Sequence, residues 1–197
     1  MLASGNKGKL LELQSILADL HVDLIPQPST SDYEVEETGT TFVENAIIKA
    51  RHACQLSGLP CIADDSGLVV EALDGAPGVK TARYAGIGCD SQDNMDLIME
   101  RLSQLKDLNQ RRATFVCALV YMRFYNDPLP IIAVGQWHGA IAREKSGDKG
   151  FGYDPLFWDF QYQMTAAQMS KKQKIKLSHR GQACQQLKSK LNKLWCK

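Results

Sequence analysis

Phe115-Val116-Cys117-Ala118-Leu119-Val120-Tyr121 is a nearly continuous apolar run. A strand with no wet face belongs in the middle of a sheet that is covered on both sides. Asn126-Asp127-Pro128 then turns the chain, and Ile131-Ile132-Ala133-Val134 returns beside the first run as an antiparallel hairpin. Elsewhere apolar residues recur at helical spacing: Leu10, Leu13, Leu17 and Leu20; then Phe42, Ala46, Ala50, Ala53 and Leu56; then Leu97, Ile98, Leu102 and Leu105. Ala183, Cys184, Leu187, Leu191 and Leu194 repeat the pattern near the end. Thr41 and Glu44 make a capping box, Gly58 is a stop, Asp90 or Ser91 caps the third helix, and Ser178 caps the last. Leu24-Ile25, Cys61-Ile62-Ala63 and Leu68-Val69-Val70 read as further strands. Helices interleaved with both hairpin and parallel-type connections predict an α/β fold around a mixed, strongly twisted sheet. A length of 197 residues suits one domain, 1–197, with two lobes, and is enough to bury a real core.

A net charge of +1 excludes the broad basic footprint of a nucleic-acid binder but leaves room for small anions on a local patch. No stretch is apolar and long enough to span a membrane, and the first residues do not form a signal peptide. Six cysteines without CxxC or paired spacing read as reduced, mostly buried thiols, which fits a cytoplasmic protein.

Chemistry concentrates at Asp64-Asp65-Ser66-Gly67, where the first of two apolar runs is expected to break into a Ser-Gly turn. Neighbouring residues on a strand point to opposite faces, so the two carboxylates address different sites unless the turn re-aims one. A divalent cation is the usual partner of such a pair; a strand-end cap and an Asx-turn are an equal reading of the residue types. Glu36 and Glu37, just before the second helix, are placed to add a carboxylate. Ser4-Gly5-Asn6-Lys7-Gly8-Lys9 opens the first helix, and a glycine-rich, lysine-bearing helix start suits phosphate. Leu10 stands where a Walker loop would need Ser or Thr, so this is not that loop. Lys49, set among small and apolar residues, is expected to point at something specific. Phe151-Gly152-Tyr153-Asp154 ends a second glycine-rich loop. Its aromatics either stack on a nucleobase, worth ~1–3 kcal/mol per base, or anchor the loop in the core. His179 and Arg180 put cations in the first turn of the last helix, which opposes the dipole unless an anionic or oxo group lies near. The run Lys171, Lys172, Lys174, Lys176 reads as a solvated face.

Taken in order, SGNKGK, EETGTTFVENAIIKA, ADDSGL, GAPG, FGYDP and SHRG resemble the inosine triphosphate pyrophosphatase family, also called XTP/dITP diphosphatases. The resemblance covers nearly the whole chain. It implies magnesium-dependent hydrolysis of non-standard purine nucleoside triphosphates (ITP, dITP, XTP) to the monophosphate and pyrophosphate. It implies an elongated two-lobed fold with the active-site cleft between lobes, and a homodimer. By position, Ser4, Gly5, Asn6, Lys7, Gly8 and Lys9 would cradle the phosphates. Glu37 and Asp65 would hold Mg2+, with Asp65 also the candidate base, helped by Lys9 and Lys49. Ser66 would touch the nucleotide, and Phe151, Gly152, Tyr153, Asp154, Lys174, His179 and Arg180 would hold the base. Asp64 would be a further ligand or an outer-sphere partner.

The chain departs from that pattern in three places. Its leading strand is cut to about three residues, so either the chain continues upstream or the sheet edge is weakened. Trp158 to Gln161 lack the expected Pro and Gly, and Lys172-Gln173 replace acidic residues. Competing readings are a Maf-like pyrophosphatase, a phosphatase and a non-catalytic nucleotide-binding module.

Overall fold

The computed structural model describes residues 1–5, 7–18 and 22–195. Asn6 and Leu20, named above, lie outside them, as does Cys196, one of the six cysteines. Among the described residues five helices and six strands follow one another as α1 (Lys7–Leu17), α2 (Phe42–Ser57), β1 (Cys61–Val70), β2 (Pro77–Gly78), α3 (Ser91–Arg101), β3 (Arg112–Met122), β4 (Ile131–Ile141), β5 (Phe157–Asp159), β6 (Met164–Thr165), α4 (Lys171–Leu177) and α5 (His179–Trp195). Short 3-10 turns punctuate the links. The strands form one sheet in the order β2-β1-β3-β4-β5-β6.

Two expectations are corrected here. The sheet is antiparallel rather than mixed. The segment that would have paired in parallel is reduced to Leu2, whose isolated bridges reach Pro26 and Ile62; Leu24-Ile25 forms no strand beyond that bridge. The second correction concerns Ser66-Gly67, which does not break the chain. β1 runs unbroken through Asp64, Asp65, Ser66 and Gly67 for ten residues, because its pairing partners continue alongside and hold the backbone extended.

By its contacts the chain forms two compact units. The first comprises Met1–Asp65, Cys117–Gly135 and Arg180–Lys197. In its core the small residues Ala46, Ala50, Ala53 and Cys54 of α2 meet Ala63, Ala118, Val120 and Met122 of the sheet. Small side chains on both partners let the helix lie close to the strands. α2 starts and stops as its sequence dictates. The Thr41 hydroxyl accepts from the Glu44 N–H while the Glu44 carboxylate accepts from the Thr41 N–H, and Gly58 closes the helix with a left-handed backbone, φ 66°. Of the predicted apolar face of α5, Ala183, Cys184, Leu187 and Leu191 are fully buried, whereas Leu194 is exposed. Gln186 and Lys190, one turn apart on that helix, donate to the carbonyls of Val134 (2.9 Å) and Ile132 (2.6 Å). These side chains occupy β4 carbonyls that would otherwise invite another strand.

The second unit comprises Ser66–Val116 and Gln136–His179. Its core is aromatic: Phe115 lies 4.4 Å from Phe157 and 6.4 Å from Trp137, centroid to centroid. The Trp137 indole N–H is satisfied by Asp159 at 2.7 Å. Arg111 is buried, with no carboxylate partner among the described residues, and its guanidinium donates to the carbonyls of Leu102, Leu105, Ile141 and Ala142. The Lys171–Lys176 run, expected as a solvated face, is helix α4. Ser170 and Gln173 cap it reciprocally.

Candidate active site

Three elements of the first unit bring the acidic side chains together. β1 carries Asp64 and Asp65, α2 carries Lys49, and the segment before α2 carries Glu37. The Lys49 ammonium donates to Asp65 Oδ1 at 2.7 Å and to Glu37 Oε1 at 3.1 Å. Glu37 rather than Glu36 takes this place, since Glu36 is exposed. The approach to α2 is held by Asn45, whose Oδ1 accepts the Gly39 N–H at 2.8 Å. A side chain at position 39 would meet Glu44 and Asn45 at 2.6–2.7 Å, so only glycine fits there.

The strand alternation separates the two aspartates completely. Asp64 is buried on the other face, where its Oδ1 pairs with Lys9 Nζ. Its Oδ2 accepts from Arg180 Nε at 3.2 Å and from the Cys117 thiol at 3.3 Å. Burial pushes the Asp64 carboxyl up, but Lys9 and Arg180, joined by the Cys117 thiol, overcome it and hold it well below the usual carboxylate range. Asp65 goes the opposite way. Burial raises it, Lys49 pulls it down, and the charges of Glu37 and Asp64 raise it again, for a net upward shift. Burial also works against the Lys49 ammonium, yet Asp65 and Glu37 outweigh it and raise its pKa. A carboxylate raised by its surroundings is suited to accept a proton.

The residues present fit a divalent cation. Asp65 Oδ2 is buried without a hydrogen-bond partner, and a buried anionic oxygen left so is costly unless a cation meets it. Among the described residues no three His, Cys, Asp or Glu side chains converge as a metal cage. Magnesium in phosphate-transfer sites needs none: one or two carboxylates suffice, with water and substrate phosphates completing its shell. Glu37 and Asp65 supply that pair.

Of the anion loop, Ser4 is half-buried and Gly5 and Gly8 are exposed, and Lys7 begins α1. Lys9 is brought to Asp64. In the second unit the FGYD loop divides its two aromatics. Tyr153 is core, and its hydroxyl donates to the Thr81 carbonyl at 2.7 Å. Phe151 is 59% exposed, with the Lys174 ammonium 5.4 Å from its ring centre. Asp154 is buried and organises the loop, accepting from the Phe151 N–H at 2.8 Å and pairing with Lys174. Gly150, at φ 86°, leaves no space for a side chain against Asp154 and Lys174. Gly152 is also left-handed, φ 61°. Ser66 is half-buried on β1. His179 is buried with its ring stacked on Phe115 at 4.7 Å. Cys117 is the site residue that sequence reasoning missed: within a run that reads as pure core, nothing marks one thiol as facing a carboxylate.

The comparisons with known proteins run the length of the chain. A model of the Ham1 family matches residues 1–190. The dITP/XTP pyrophosphatase of Idiomarina loihiensis is 52% identical over 197 residues, covering 98% of this chain and 97% of that protein. That of Pectobacterium atrosepticum is 50% identical over 183 residues, covering 93% and 92%. A solved structure of a HAM1 protein from Coxiella burnetii is similar at a TM-score of 0.92 and 48% identity, covering 98% of this chain and 97% of that one.

Proposed function

The chain belongs to the Ham1 family, and on that premise we propose that it is a dITP/XTP pyrophosphatase working with a magnesium ion on Glu37 and Asp65. The reaction takes a purine nucleoside triphosphate and water to the monophosphate and pyrophosphate, which removes deaminated purines from the nucleotide pool. ITP, which shares its base with dITP, is a substrate in the same reading. So are a cytoplasmic location, a homodimer and an elongated two-lobed outline. Among the described residues no helix is long and apolar enough to cross a membrane.

The observation that carries this reading is the sorting of charge across β1. On one face two carboxylates face one ammonium; on the other, two cations face one carboxylate. The first arrangement has negative charge to spare for a cation, and the second has positive charge to spare for an anionic nucleotide. Bound magnesium would draw charge from the phosphate oxygens and offset the carboxylates. Asp65 orients the attacking water and accepts its proton. Lys49 keeps Asp65 aimed and adds positive charge, and Lys9, with the loop from Ser4 to Gly8, receives the phosphates. Ser66 touches the nucleotide. For the base, Phe151 supplies a stacking face, and Gly152, Tyr153, Asp154 and Lys174 shape the loop that carries it. His179 and Arg180 complete the base site. Donors that meet a 6-oxo group oppose the 6-amino group of adenine with donors, a mismatch that gives large discrimination when buried.

The test is product analysis with magnesium. Pyrophosphate release from dITP is expected to exceed that from dATP by at least ~100-fold in kcat/KM. Release of single phosphates, or equal rates on the two nucleotides, contradicts the reading.

A further inference from the structure

We infer that Asp64 is a positioning residue that aims Lys9 and Arg180 without itself touching substrate or cation; this rests on the function proposed above. Both of its oxygens are engaged, Oδ1 by Lys9 and Oδ2 by Arg180 and Cys117. Its side chain has no exposed surface, and it meets Lys9, Arg180 and Cys117 where Asp65 meets Lys49. Asp65 serves the cation face of β1; Asp64 serves the other.

The three partners come from distant parts of the chain. Lys9 is in α1, Cys117 in β3 and Arg180 in the first turn of α5. One carboxylate therefore joins the loop assigned to the phosphates to the helix start assigned to the base. A lysine is a point charge on four flexible carbons, and it occupies one position only when something fixes it. Removing the Asp64 charge leaves both cations present, so a triphosphate is still attracted in the ground state. What is lost is their aim, and misplacement on the order of 1 Å costs about 100-fold in rate. The signature is a fall in kcat at nearly constant KM.

The test measures kcat and KM for pyrophosphate release from dITP by wild type, Asp64→Asn, Lys9→Met and the double variant, with thermal melts of each. Asp64→Asn is expected to lower kcat about 100-fold with KM within threefold of wild type. The share of the Asp64 effect that runs through Lys9 is already lost in Lys9→Met, so adding Asp64→Asn there is expected to cost less than tenfold more, the remainder being the aim of Arg180. The double variant removes both charges of one ion pair, so this comparison stands even where Asp64→Asn alone does not fold. Wild-type kcat in Asp64→Asn overturns the inference. So does a further loss of tenfold or more in the Lys9→Met background, or loss of the fold in both Asp64 variants, which assigns the residue to structure alone. A wild type that releases no pyrophosphate from dITP overturns the proposed function instead.

Discussion

Phe151 and Tyr153 stand two positions apart in one loop and have opposite fates. The tyrosine ring is in the core with its hydroxyl on Thr81, and burial pushes the phenol's pKa up. The phenylalanine ring lies open. Both outcomes were legible as alternatives in the sequence, but composition cannot say which ring a glycine loop turns inward. Phe151→Ala is expected to raise KM for dITP by ~5–100-fold, the value of one lost stacking contact, with the melting temperature unchanged. Tyr153→Phe is expected to cost ~1 kcal/mol of stability in urea unfolding and to leave KM alone. The reverse pattern would move base stacking from Phe151 to Tyr153. Asp64 was legible as one of two carboxylates in want of a counter-charge, read as a strand-end cap, a metal ligand or an outer-sphere partner. Its partners were not, because they lie 53, 55 and 116 positions away, and only the folded sheet brings them together.

Local signals gave the elements their ends. The Thr41–Glu44 box and the Gly58 stop of α2 were readable because capping involves residues three or four apart. The same rule offered Ser170 and Gln173 for α4, obscured by four lysines that looked like mere surface. The course of β1 was not readable: a Ser-Gly pair favours a turn, and only pairing with other strands keeps it extended. The β3–β4 hairpin was anticipated from Asn126-Asp127-Pro128, and its lock is Asp127. That buried carboxylate accepts from the Arg123 side chain at 2.5 and 2.8 Å and from the N–H groups of Arg123 and Leu129. The Arg123 hydrogen bonds hold its pKa well below the usual carboxylate range. A depressed acid stabilises above its unfolded value, near 3.9, and that contribution disappears as pH falls through the folded value. Asp127→Asn is therefore expected to cost ~1.5–3 kcal/mol at pH 7. The difference from wild type should shrink as pH is lowered from 5 towards 2, followed by urea titration. A difference independent of pH would assign the loss to packing.

For the molecule as a whole, six short motifs in one order were enough to indicate the family, and the full-length matches agree with them. No single motif carried that information, since each has an ordinary structural use. The physical account reduces to a division of labour between adjacent aspartates, in which Asp65 with Glu37 serves the cation and the attacking water while Asp64 holds Lys9 and Arg180. Turnover and nucleotide binding of Asp65→Asn, measured with dITP and magnesium beside wild type, test this most directly. The account predicts a loss of ~100- to 10,000-fold in kcat with dITP still bound within tenfold of wild-type affinity. A variant that turns over dITP at close to the wild-type rate would contradict it.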